Sequence, residues 1–171
     1  MPKLKSIDEL KVIVERHKTG GKKIVFTNGC FDILHLGHVR YLKAAKCLGD
    51  VLIVALNSDK SVKHIKGNKR PIMGQLERAE ILAALEFVDY VVIFDEPTPI
   101  ETILVLKPHI HVKGGDYSLE ELSEAEAVKS YGGGIVILPE VEGWSTTKVI
   151  NTIIERASKR LQHKHKKKGV K

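Results

Sequence analysis

Short apolar runs alternate with helix-patterned segments along almost the whole chain, and that alternation leaves few folds open. Residues 6–18 open on a Ser6 cap and carry Leu10, Ile13 and Val14 at helical spacing, before Gly20-Gly21 stops them. KKIVFTNG (22–29) reads as a short strand ending near Thr27, followed by a loop from Asn28 to Leu36 and a helix from about Gly37 to Leu48. DVLIVALNSD (50–59) is apolar nearly throughout, as a parallel strand covered on both faces must be. A turn-rich GNKRPIMG (67–74) then leads into the helix QLERAEILAAL (75–85). The pattern repeats as strand 88–95, helix 97–107, strand 109–114, acidic helix 118–134, strand 135–139 and helix 145–161. Strands that alternate with helices at short intervals predict a Rossmann-like α/β fold: an open, parallel, five-stranded sheet with helices on both faces. Ligands of such sheets bind beyond the carboxyl ends of the strands, so functional residues are expected there.

At 171 residues, with no internal repeat and no linker-like stretch, the chain is expected to hold one domain over 1–158. Seven basic residues and no acid lie between Lys159 and Lys171; without them 21 basic residues face 21 acidic ones. The net charge of +7 therefore belongs to a basic segment, 159–171, expected to be a solvated, disordered tail. Nucleic-acid binding through that tail is a different class of function, opposed by the neutral body and the lack of an aromatic-rich basic face. No run reaches the ~20 apolar residues of a membrane span, and the first ten residues lack a secretory core. The expected address is cytoplasmic, which suits the two unpaired cysteines, Cys30 and Cys47.

The first strand end carries the most unusual string, Thr27-Asn28-Gly29-Cys30-Phe31-Asp32-Ile33-Leu34-His35-Leu36-Gly37-His38. Gly29 permits a tight turn, and Gly37 would let a ligand approach the backbone. His35 and His38, three apart at a helix start, can face one side, beside N–H groups that attract phosphate. Two imidazoles there can stabilise charge on a transferred phosphoryl group. Caps or surface histidines are the plain alternative, and a zinc site lacks evident further ligands. A dinucleotide fingerprint and a Walker A sequence are both absent.

This string resembles the HxGH signature of the cytidylyltransferase-like nucleotidyltransferases. The resemblance implies a nucleoside triphosphate bound by Asn28, Gly29, Cys30, Phe31, His35, Gly37 and His38, with direct attack of a substrate oxygen on the α-phosphorus. It also implies a divalent cation, usually Mg2+, brought by the triphosphate, with no metal ligand supplied by the chain. Three further segments are Asn57-Ser58-Asp59 with Lys66-Gly67-Asn68-Lys69-Arg70-Pro71, then Val112-Lys113-Gly114-Gly115-Asp116-Tyr117, then Gly143-Trp144-Ser145-Thr146-Thr147. With them the chain is similar, over roughly 22–157, to the heptose 1-phosphate adenylyltransferases, which make ADP-heptose for lipopolysaccharide. Many of those are fused to a sugar kinase; this chain has no room for one and resembles the stand-alone form. The implied partners are ATP and a sugar 1-phosphate, with a homodimer expected.

The residues themselves agree. Ser145, Thr146 and Thr147 can cap the last helix or offer hydroxyls and N–H groups to a phosphate. Lys113 and Gly114 can meet the nucleotide and Asp116 a ribose hydroxyl, although turn chemistry also explains the glycines. Lys66, expected to assist catalysis, and Arg70 can clamp phosphates or merely be solvated. Arg78 matches an arginine of the family pattern assigned to substrate, as is Asn57, but it could equally pair along its own helix. Asp32 can hold a sugar hydroxyl or fix its loop through backbone N–H groups. Trp144 stands where the heptose enzymes usually carry a smaller residue, and Met73-Gly74 replaces a more polar stretch. The related chemistries are cytidylyl transfer to an alcohol phosphate and FAD synthesis. Glu140-Val141-Glu142-Gly143-Trp144-Ser145-Thr146 lacks the arginine expected of the first.

Overall fold

The computed structural model describes residues 2–115, 118 and 121–168, with 161–168 as backbone only. The apolar runs form β1 (Ile24–Gly29), β2 (Val51–Asn57), β3 (Tyr90–Phe94), β4 (Ile110–Gly114) and β5 (Gly134–Leu138), all parallel, in the order β3-β2-β1-β4-β5. The helices are α1 (Ile7–Thr19), α2 (Leu36–Lys46), α3 (Asp59–Lys66), α4 (Gln75–Ala84), α5 (Ile100–Leu106), α6 (Ala125–Ser130) and α7 (Thr146–Lys168).

The predicted sheet with two covered faces is what the chain forms, and β2 shows why its sequence is continuously apolar. Leu52, Val54 and Leu56 pack with Leu42 and Ala45 of α2 and Ala79 and Leu82 of α4. The alternate residues Val51, Ile53 and Ala55 pack with Leu10 and Val14 of α1 and Ile103 and Leu106 of α5. Every residue of the strand is buried, so period-2 alternation has no polar face to show.

The strand order fixes the place of the site. From β1 the chain steps outward through β2 to β3, then returns to the other side of β1 as β4. The reversal opens a crevice at the carboxyl ends of β1 and β4, the topological switch point of an open sheet.

Three elements differ from the sequence reading. α3 forms where no element was expected: its only strongly apolar residues are Val62 and Ile65, too few to mark a helical face, and the Ser58 cap on Ser61 N–H sets it instead. The acidic helix is shorter, since α6 begins only at Ala125. α7 carries helical backbone to Lys168, across positions expected to be an unstructured tail.

One tight point sits between α2 and β2. A Cβ on Gly49 would lie 2.7 Å from Val25 Cγ2, buried in the core, and 2.8 Å from the Lys23 carbonyl oxygen, which the Asp50 and Val51 N–H groups hold in place. Gly49→Ala is expected to lower stability by about 1–3 kcal/mol through overpacking, read as a lower urea midpoint with an unchanged m-value.

Candidate active site

A cavity of about 610 Å³ occupies the switch-point crevice. The end of β1, the β1–α2 loop and the start of α2 supply Asn28, Gly29, Cys30, Phe31, Asp32, His35, Gly37 and His38 to its wall. β4 adds Lys113 and Gly114, the start of α7 adds Ser145, Thr146 and Thr147, and the α3–α4 side adds Lys66 and Arg70. Residues up to 119 positions apart in sequence thus meet around one space. Tyr41, Pro139, Glu140, Val141 and Trp144 line it too, and sequence reasoning put none of them forward as site residues. Asp116 lies outside the described residues.

The histidines form a stacked pair. Their ring centroids are 3.8 Å apart at 21°, and His38 meets the edge of Phe31 at 5.3 Å on its other side. Phe31 and Ile33 hold positive φ of 44° and 62°, a conformation that costs energy for such side chains and that the surrounding packing maintains. The His35 N–H donates to His38 Nδ1 at 3.4 Å. With Nδ1 accepting, a neutral His38 carries its proton on Nε2. Burial, then the nearby His35 and Lys66 charges, pushes His38 down to about 4, and burial lowers His35 as well. Both rings are therefore neutral donors at pH 7 in the free protein.

Gly37, which lines the cavity, is also required by local packing. A Cβ there would sit 3.0 Å from the His35 ring and 3.2 Å from Trp144 Cβ, so packing fills the space. Trp144 lies roughly parallel to His35, with centroids 6.4 Å apart at 25°.

Asp32 adopts the second of its two expected roles. Its carboxylate accepts from Arg70 Nε at 2.6 Å, from Ile72 N–H at 2.9 and 3.0 Å, and from Met73 N–H at 3.0 Å. Burial alone would raise its pKa, but the Ile72 and Met73 N–H groups and Arg70 outweigh burial and hold it below the usual carboxylate value. Those bonds engage both oxygens with protein donors, so Asp32 fixes the 70–73 loop. Arg70 Nη2 is buried without a partner among the described residues, which leaves a donor for a ligand.

Two expected substrate contacts are corrected. Arg78 is 1% exposed; it donates to the carbonyls of Met73, Cys30 and Asn57 and pairs with Asp59 at 2.8 Å. Four of its five donors go to the protein, and it does not line the cavity. Asn57, 2% exposed, donates to Ser61 Oγ at 2.9 Å and also lies outside the lining. At the α7 end, Ser145 Oγ accepts from Lys148 N–H at 3.2 Å as a cap, and Thr146 Oγ1 donates to the Asp32 carbonyl at 3.0 Å.

A family profile described as cytidylyltransferase-like matches residues 26–152, which includes every lining residue named above. The chain belongs to the cytidylyltransferase-like family. Among relatives of this nucleotidyltransferase, the Bifunctional protein HldE of Pelobacter propionicus is 56% identical over 156 residues, covering 91% of this chain and 32% of that protein. HldE of Geobacter sulfurreducens is 52% identical over 153 residues, covering 90% and 31%. The chain spans about a third of the length of these curated relatives. The solved lipopolysaccharide core biosynthesis protein of Thermoplasma volcanium is 32% identical with a TM-score of 0.57, covering 71% of this chain and 98% of that one. A pantoate-β-alanine ligase of Francisella tularensis, 15% identical with a TM-score of 0.57 over 85% of this chain and 74% of that one, shares the fold alone. Among the described residues no helix is long and apolar enough to cross a membrane.

Two measurements follow from the stacked rings. An unfolded histidine protonates near 6.5, whereas folded His38 resists until about 4. The contribution of His38 to folding stability is therefore full above about 6.5 and is lost as pH falls toward about 4. NMR of the ring should show His38 titrating near 4, and His38→Gln should flatten the fall in urea midpoint between pH 6.5 and 4. Trp144 is the chain's single tryptophan, so ligand entering the cavity is expected to change its emission, and His35→Ala to shift emission of the free protein.

Proposed function

We propose that this chain transfers AMP from ATP to D-glycero-β-D-manno-heptose 1-phosphate, giving ADP-heptose and pyrophosphate, a lipopolysaccharide precursor. The observation that carries the reading is the neutral His35–His38 stack at the start of α2, facing a cavity flanked by Lys66, Arg70 and the α7 N-terminus. Those groups suit a triphosphate: two N–H donors, two cations and a helix start. The acceptor rests on the likeness of residues 22–157 to heptose 1-phosphate adenylyltransferases. The identity to HldE agrees with it, as does the lipopolysaccharide core protein among the solved relatives.

In this mechanism an oxygen of the sugar 1-phosphate attacks the α-phosphorus of ATP. The new P–O bond forms as the bond to the β-phosphate bridging oxygen breaks, and pyrophosphate leaves. The acceptor phosphate is already ionised near neutral pH, so no side chain has to remove a proton. His35 and His38 donate to oxygens on which charge accumulates, and Lys66 and Arg70 offset the charge of the leaving group. The triphosphate's own field favours protonation of the rings, which strengthens both donors as the substrate binds. Catalysis then consists of positioning and preorganised electrostatics. A divalent cation held by the triphosphate's own oxygens would offset phosphate charge there, beside Lys66 and Arg70. We place the reaction in the cytoplasm, where ATP and sugar phosphates are available.

The test is pyrophosphate release. The chain is incubated with each of ATP, CTP, GTP and UTP against D-glycero-β-D-manno-heptose 1-phosphate, glycerol 3-phosphate and FMN. ATP with the heptose phosphate is expected to give the highest kcat/KM. His38→Ala is expected to lower kcat by about 100-fold or more while the circular dichroism spectrum is unchanged. Preference for CTP with glycerol 3-phosphate, or near-normal turnover by His38→Ala, overturns the reading.

A further inference from the structure

One buried charged cluster has no part in the phosphate chemistry above. On β4, Lys113 reaches the cavity wall, and His111, two residues earlier on the same face of the strand and 0% exposed, lies deeper against Phe26, ring centroids 5.7 Å apart. Glu124, 3% exposed at the start of α6, lies between them. Its Oε1 contacts Lys113 Nζ directly and lies 3.7 Å from His111 Nε2, while Oε2 accepts from Ser123 Oγ at 2.7 Å. Lys113 Nζ also donates to Asn28 Oδ1 at 3.4 Å. An ammonium has three donors. Two of them go to Glu124 and Asn28, which leaves one, and the cavity is the open side.

The pair's place in the sheet matters as much as its geometry. Lys66 and Arg70 follow β2, on one side of β1, whereas Lys113 ends β4 on the other side. A bare ammonium on the β4 side would offer phosphates a second cationic binding place. A buried carboxylate in direct contact offsets that charge and leaves a directed hydrogen-bond donor.

We infer that Glu124 is a positioning residue: it fixes Lys113 Nζ and offsets its charge, so that Lys113 donates to the ribose or base of the nucleotide and the triphosphate is left to the Lys66–Arg70 side. This rests on the proposed nucleotide-binding function and adds to it a residue outside the cavity lining. Ser123 and His111 support the carboxylate from behind, His111 within a few tenths of an ångström of a hydrogen bond.

The experiment uses the full chain. ATP affinity is measured calorimetrically without acceptor, and kcat and KM for ATP with the sugar phosphate, for wild type, Glu124→Gln, Lys113→Met and the double variant. Glu124→Gln is expected to weaken ATP binding and raise KM about tenfold, the scale of one charge-assisted hydrogen bond, with kcat within about threefold. Lys113→Met should match it, and the double variant should be no weaker than Lys113→Met alone, because both substitutions remove one interaction. Glu124→Asp, which keeps the charge on a shorter reach, should lie between wild type and Glu124→Gln and serves should Glu124→Gln fail to fold. Unchanged ATP affinity in the folded Glu124 variants, or effects that multiply in the double variant, overturn the inference; a merely structural salt bridge would lower Tm and leave the KM pattern flat. If wild type binds CTP instead of ATP, the function reading fails while the same cycle run with CTP still decides the role of Glu124. If it binds no nucleoside triphosphate, both fall.

Discussion

The site depends on one buried guanidinium. Arg78 sits on α4, yet its fork ties together the end of β1 through Cys30, the end of β2 through Asn57, the start of α3 through Asp59 and the connection before α4 through Met73. A fully buried charge is costly unless every donor finds a well-placed acceptor, and Arg offers a planar fork that lysine cannot reproduce. Its return is geometric: the chain leaving β1, the chain leaving β2 and the α3–α4 connection are fixed relative to one another. Asp32 extends the same clamp, joining the β1–α2 loop to Arg70, Ile72 and Met73, and Thr146 joins α7 to the Asp32 carbonyl. The histidines stand on a loop braced from both sides.

That brace explains which parts of the chain were legible from sequence. The sheet was, because five apolar runs separated by helix-patterned segments have few other ways to bury themselves. The wall of the cavity was largely legible too, since functional residues of such sheets follow strand ends, and the strings at 27–38, 112–114 and 145–147 do so. Partners distant in sequence were not. Arg78 reads along its own helix as a neighbour of Glu77 or Glu80, whereas its acceptors lie up to 48 positions away. Asn57 reads as a polar strand end facing ligand, but turns back to Ser61 on the next helix. Asp32 offered both a ligand role and a loop role, and only the folded 70–73 segment, with its N–H groups converging on the carboxylate, decides between them. Glu124 and His111 carry no local signal, because their relation depends on α6 packing beside β4.

The stacked histidines pose an electrostatic question, since two imidazoles with centroids 3.8 Å apart repel if both are charged. The protein resolves it by burial: both rings are neutral in the free state, held between Phe31 and Trp144. A neutral pair can be packed without the desolvation cost of a buried cation, and can gain charge when an anion arrives to stabilise it. On the proposed reading the donors are strongest with triphosphate in place.

Charge is also unevenly divided around the cavity, and the division carries directional information. On the β2 side Arg70, paired with Asp32 through Nε, still presents a buried Nη2 without a partner among the described residues, and Lys66 ends α3; on the β4 side the Lys113 ammonium is matched by Glu124. The fold generates this asymmetry, because the switch point brings β1 between two strands that arrive from opposite directions with different connections. A ligand anionic at one end and neutral at the other, as a nucleoside triphosphate is, has a preferred orientation in such a crevice before any base is recognised. Inverting it would put phosphates against the paired Lys113 ammonium and a neutral base against Lys66 and the Arg70 Nη2 donor, losing attraction at both ends. The orientation puts the triphosphate against the HxGH stack, so the placement of charge and the placement of the histidines support a single binding direction.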